Sequence, residues 1–163
     1  MMNNQYNQEE IEKLRDLIKD IDTAMFTTST PEGLISRPMM TQEVEFDGDL
    51  WFFTMKDTEK YREILHESDV NVSYAGKSYV SVSGKVEVVE DMNKKRELWN
   101  KAYEKMLDTS YDDPNVVLLK VNVRSAEYWE TGSVTKNAVN LFKKMTGNDE
   151  TDPADMNKTI KFQ

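Results

Sequence analysis

Apolar residues recur every three or four positions through residues 9–21, "EEIEKLRDLIKDI", where Ile11, Leu14, Leu17, Ile18 and Ile21 share one side. That spacing predicts an amphipathic helix over 9–21 whose polar face needs only water. The pattern then changes. Across "AMFTTSTPEGLISRPMMTQEVEFDGDLWFFTM", residues 24–55, two strand-like runs are split by "TPEG" and a third begins after "DGD", the turn chemistry of a meander. Residues 57–66, "DTEKYREILH", read as a short helix capped by Asp57 or Thr58. Strict alternation returns in "YVSVSGKVEVVE", with Val80, Val82, Gly84, Val86 and Val88 on one face and Tyr79, Ser81, Ser83, Lys85 and Glu87 on the other. A glycine in the apolar row predicts a bulge, a bend or a close backbone neighbour at Gly84. A second helix is predicted over 91–106, followed by a long strand over 115–130 in which Leu119, Val121 and Val123 alternate with Lys120, Asn122 and Arg124. A last helical piece is predicted over 134–145.

Five or six antiparallel strands with helices before, between and after them predict a mainly β fold with flanking helices. Closing the strands into a small barrel would remove the exposed edges they otherwise present. With 163 residues the chain is long enough for one core and short for two, so residues 1–146 are expected to form a single domain that includes the helix 9–21. Residues 147–163 are polar and turn-rich and read as a loose tail. Met25, Phe26, Phe46, Trp51 and Phe52 are expected in the core, and Trp99 with Tyr103, four apart on one helix, as a packing pair.

Composition enters mainly through what it excludes. A formal net charge of −9 argues against nucleic acid and against an anionic membrane surface, because the long-range field repels both. Any bound phosphate must therefore be met by a local basic cluster. There is no cysteine, which removes disulfides, thiolate metal sites and cysteine nucleophiles. The start "MMNNQYNQEEIEKL" lacks a signal-peptide apolar run, and no later segment approaches the ~20 apolar residues of a membrane span, so a cytoplasmic location is expected. The only histidine, His66, falls near the end of a short helix where a surface role suffices, and "YDDP" at 111–114 reads as a turn rather than a calcium loop. No metal site is expected.

The chemistry that survives is a spaced set of residues. "ISRPMM", residues 35–40, places Arg37 among apolar side chains immediately before Pro38, which holds Arg37 extended and puts Pro38 at a sheet edge or irregularity. If this strand and "LWFFTM" are neighbours, Arg37 approaches the residues after Thr54, with Thr58 and Lys60 in the first turn of the following helix. A helix start offers free N–H groups and a positive dipole end, and with two cations it makes a phosphate pocket. The competing reading leaves Arg37 and Lys60 facing solvent or paired with the many carboxylates.

"ISRPMMTQEVEFDGDLWFFTMKDTEKYREIL", then "YVSVSGKVEVVED" and "AEYWE", resembles the FMN-binding split β-barrels of the pyridoxamine 5′-phosphate oxidase-like superfamily, and within it the small bacterial general stress protein 26-like group. The resemblance covers about residues 9–145 and implies a six-stranded antiparallel split barrel, a homodimer, and FMN sites at the subunit interface. It matches Arg37 to an arginine near the flavin ring and phosphate, and Pro38, Met39 and Met40 to the strand beside the flavin. Phe53 and Thr54 match a segment whose backbone faces the ring edge. Thr58 and Lys60 match the phosphate clamp, and Trp129 a tryptophan lent by the second subunit. Tyr79 and Ser81 fall on the strand that faces the cofactor. Two departures stand out. Where the oxidases carry serine, arginine and lysine in the clamp, this chain has Thr58, Glu59 and Lys60, which implies weaker FMN binding. The oxidases continue after the tryptophan with an arginine- and histidine-containing substrate segment, whereas this chain reads "WETGSVTKNAV", which argues against vitamin B6 oxidation.

The resemblance thus implies an FMN-binding, flavin-dependent oxidoreductase acting on an unknown small molecule. A flavin does the redox chemistry itself, so missing histidines and cysteines are no obstacle. Two alternatives stay open: a flavin- or ligand-binding stress protein without turnover, and a dimeric split barrel that has lost its cofactor.

Overall fold

The structure is a computed structural model in which residues 4–41, 47–130 and 157–161 are described. Helix α1 (Asn4–Ile18) precedes the hairpin β1 (Thr23–Thr30) and β2 (Gly33–Met40). Strand β3 (Asp49–Met55), helix α2 (Glu59–His66), β4 (Asp69–Ala75) and β5 (Tyr79–Val89) follow. Two short helices, α3 (Met92–Leu98) and α4 (Lys101–Leu107), lead into the long β6 (Val116–Trp129), and β7 (Asn157–Lys161) completes the sheet. The expected helix at 134–145 and Phe46 lie outside the described residues.

All strand pairs are antiparallel, in the order β2-β1-β4-β5-β6-β3, with β7 joined to β6. Seven strands stand where six were expected, because residues 157–161, read as loose tail, pair with the end of β6 and bury Ile160 opposite Ala126. One apolar group at an alternating position is enough to commit a short strand when a partner edge is open. The meander expectation also fails after its first hairpin. β3 pairs with β6 and β2 with β1, so β2 and β3 occupy opposite ends of the sheet path. Their side chains nevertheless approach, since Met40 packs against the cluster that contains Phe53.

The sheet curls around one core to which every strand contributes, including Phe26, Phe52, Val72, Val82 and Leu119, with Leu14 of α1 and Ile64 of α2 plugging it. A second cluster lies on the other side of β3 and β6, where Phe53 and Leu118 pack under Leu98 and Tyr103. The single helix expected over 91–106 is two: Trp99 turns extended, and the Asn100 side chain accepts from the Tyr103 N–H at 3.1 Å, restarting the helix. Trp99 and Tyr103 do pack, at 5.9 Å between rings, but across that break.

Gly84 is required by a close approach. A Cβ there would lie 2.3 Å from the Asn122 carbonyl oxygen. Here the β5–β6 register slips, Ser83 pairing Ser125 and Gly84 pairing Val123, so that Arg124 is the unmatched residue of a bulge. Met25, expected in the core, is 42 % exposed, whereas Trp51 is half-buried, packing against the second cluster with Lys94 and Lys120 over its ring.

Candidate functional site

Alternation along β2 decides where its residues point. Arg37 stands opposite the fully buried Phe26 and Met39 opposite the buried Ala24, so both share the barrel-inward parity. Pro38 stands opposite Met25 on the outer face. Helix α2 begins under this strand. Thr58 is its N-cap, accepting from the Tyr61 N–H at 3.3 Å and donating to the Met55 carbonyl at 2.8 Å. Of the two caps expected from sequence, Thr58 is the one used.

The Arg37 guanidinium is paired with a carboxylate, as the competing reading has it. Its Nη1 and Nη2 donate to the two carboxylate oxygens of Glu63 at 2.8 and 2.9 Å. The buried Thr28 hydroxyl donates to the same carboxylate at 2.8 Å and accepts from Nη1 at 3.3 Å. Hydrogen bonding to Glu63 raises the guanidinium's affinity for its proton, and the Arg37 hydrogen bonds hold the Glu63 carboxyl below the ordinary range. Glu63 and Thr28 were not singled out from sequence. One more glutamate in an acidic chain carries no signal, and Thr28 differs from its neighbours Thr27 and Ser29 only by parity.

Lys60 is different. Its ammonium rests against the Met39 sulfur at 2.9 Å. Among the described residues no carboxylate lies within ion-pair distance of it. Burial first, and the Arg37 charge second, push its pKa down to about 8, with Glu63 opposing. A cation desolvated beside a second cation is stabilised by an incoming anion. Glu59, the apparent intruder in the clamp, is exposed.

Thr54 shares the inward parity of Leu50 and Phe52, and its hydroxyl, on a residue 2 % exposed, has no hydrogen-bond partner among the described residues. Phe53 points the other way and is a core residue, its ring 5.0 Å from Trp99 and 4.8 Å from Tyr103. Met40 belongs to that cluster as well.

Tyr79, Ser81 and Trp129 do come together, though not in the corner. With Met25 and Ser73 they line an open cleft of about 390 Å³ on the outer face of the sheet, where Tyr79 stands opposite Trp129. The expected set therefore divides in two. Arg37, Met39, Thr58 and Lys60 form a cationic corner, and Tyr79, Ser81 and Trp129 form an outer cleft, with Pro38 on the cleft's face of the sheet.

The family model described as pyridoxamine 5′-phosphate oxidase like matches residues 9–152. General stress protein 26 of Bacillus subtilis (strain 168) is 28 % identical over 94 residues, a match that covers 54 % of this chain and 66 % of that protein. Among solved structures, general stress protein 26 of Bacillus anthracis str. Sterne aligns with a TM-score of 0.65 at 26 % identity, covering 74 % of this chain and 93 % of the other. The general stress FMN/FAD binding protein of Xanthomonas citri aligns with a TM-score of 0.67 at 26 % identity, covering 77 % and 92 %. The mainly β, antiparallel architecture with flanking helices is that of the split-barrel proteins of this group.

Proposed function

The chain belongs to the pyridoxamine 5′-phosphate oxidase-like family, and on that premise we propose that it binds FMN as a homodimer and acts as a flavin-dependent oxidoreductase on a small molecule. The observation that carries the reading is Lys60, a half-buried ammonium at the first turn of α2 without a carboxylate of its own among the described residues. The phosphate binds there, reinforced by the Glu59 and Lys60 N–H groups at the start of α2, the Tyr61 N–H being taken by the Thr58 cap. Thr54 offers an unused hydroxyl on the same inward side. That the Xanthomonas citri relative is described as FMN/FAD binding supports the same ligand.

The dimer reading draws on the outer face. Tyr79 is 52 % exposed and Met25 42 % exposed beside Trp129, with Pro38 opposite Met25, an apolar patch that a second copy would cover. Covering it would also put the Trp129 cleft at the interface. The bound flavin supplies electron transfer. The chain's residues hold its phosphate, orient its ring and exclude water from one side.

Titrating purified protein with FMN at low salt tests this directly: quenching of flavin fluorescence is expected in the wild type and its loss in Lys60→Ala. Equal, negligible binding by both proteins identifies a barrel that has lost its cofactor. Turnover is read separately, as consumption of nicotinamide cofactor by the FMN-loaded protein above the free-flavin rate. Binding without that excess identifies the non-catalytic flavin-binding reading.

A further inference from the structure

We propose that Glu63 is a positioning residue of this site: anchored by Thr28, it grips one edge of the Arg37 guanidinium so that the other edge serves the ligand's ring and not its phosphate. The inference rests on the FMN reading above and starts from a count of donors. A guanidinium carries five N–H groups. Three are engaged, two on Nη1 with Glu63 and Thr28 and one on Nη2 with Glu63. The two left over, on Nε and on Nη2, have no partner among the described residues. They are adjacent and parallel, a complete bidentate fork fixed in the plane that Glu63 sets.

The anchor is stiff. Thr28 is fully buried on β1, so the barrel core fixes its hydroxyl, which donates to Glu63 at 2.8 Å. Glu63 in turn lies on α2 next to the buried Ile64, which roots that helix in the same core. The carboxylate also cancels the Arg37 charge locally. A phosphate gains little from a neutral pair and goes to Lys60, whereas a planar heterocycle with neighbouring neutral acceptors, such as a flavin's N1 and C2 carbonyl, matches the remaining fork. Arg37 and Lys60 therefore divide the ligand between them: ring to one, phosphate to the other.

The experiment compares FMN with riboflavin, which lacks the phosphate, in wild type, Glu63→Gln, Glu63→Asp and Thr28→Val. Wild type should bind both. In Glu63→Gln the ring loses its oriented fork while the freed Arg37 becomes available to phosphate, so the FMN-to-riboflavin affinity ratio should rise about tenfold, or one log unit in the dissociation constants. The FMN affinity should also become more salt-dependent. Thr28→Val should move the ratio the same way by a smaller factor, and Glu63→Asp should restore part of it. A protein merely loosened by the substitution would lose both ligands together. An unchanged ratio in both Glu63→Gln and Thr28→Val, with wild type binding both flavins, would overturn the inference and leave the FMN reading intact. A wild type that binds neither flavin defeats both. Should Glu63→Gln not fold, Thr28→Val carries the comparison. A ligand-free readout stands beside it: the Arg37 Nη protons should give separate, slowly rotating NMR signals in wild type and averaged ones in Thr28→Val. Averaged signals already in wild type would also overturn the inference.

Discussion

Lys56 and Lys60 stand four residues apart on either side of one helix cap, and their surroundings are opposite. Lys56 pairs with Glu90 at 2.6 Å, and that hydrogen bond raises its pKa. Lys60 has a thioether for its nearest neighbour, and burial lowers its pKa to about 8. The contrast extends to the two sides of β3. Toward α3 and α4 the Tyr103 hydroxyl is satisfied, donating to the Met40 carbonyl at 3.0 Å beneath a closed set of rings. Toward α2 and β2, among the described residues, a cation has no carboxylate and a buried hydroxyl has no hydrogen-bond partner. On the function proposed above, that corner is where the ligand's phosphate is held.

The largest expected effect lies on the closed side. Phe53→Ala should cost about 3–5 kcal/mol in a urea unfolding experiment, because a ring held between Trp99 and Tyr103 leaves a cavity when removed. A loss below about 1 kcal/mol would mean that this side is not the packed one. On the open side, Lys60→Met should weaken FMN binding roughly tenfold to a hundredfold, the range of a lost charge-assisted hydrogen bond. The same variant should leave the unfolding midpoint unchanged or raised, since it removes a desolvated charge. A Lys60→Met protein that loses stability but keeps its FMN affinity would reverse the contrast.

The pH dependence is smaller and has a definite sign. Below about pH 8 Lys60 is protonated in both folded and unfolded chains, and its burial opposes folding in full. Between about pH 8 and the ordinary lysine value of 10.5 the unfolded chain binds the extra proton, so this contribution to stability improves as pH rises. Affinity for an anion runs the other way. FMN binding should weaken by up to about tenfold for each pH unit above 8, and Lys60→Arg should flatten that profile. The smallest effect belongs to Lys56→Ala, which breaks an exposed pair and should shift neither the unfolding midpoint nor the FMN titration measurably.

Most of the fold was legible because alternation is a local signal. The row from Val80 to Val88, the bulge at Gly84 and the Thr58 cap all follow from a few consecutive side chains. Features that depend on distant partners were not, the pairing of β3 with β6 among them. The split of the 91–106 helix depends on Asn100 outcompeting helix continuation. Strand β7 depends on a distant open edge. The exposure of Met25 depends on what covers the outer face. In the site, position was legible and pairing was not. Arg37 and Lys60 were visible as cations near one helix start, but Glu63's choice of Arg37 over Lys60 is a three-dimensional outcome of the parity of β2 and the rotation of α2. Phe53 stood out through the resemblance for its backbone, and the parity of β3 sends its side chain into the second cluster.

The unmatched Arg124 in β6 resets which residues face inward. Before it the odd-numbered Leu119, Val121 and Val123 line the interior, and after it the even-numbered Ala126 and Tyr128 do. Trp129 reaches the outer cleft only because of that change of phase. Exchanging or deleting Arg124 preserves the phase, since Val123 and Ser125 already pair with the consecutive Gly84 and Ser83, whereas drawing Arg124 into the ladder as a regular position would turn Trp129 toward the barrel and drive Tyr128 out, erasing the cleft without altering any residue that lines it.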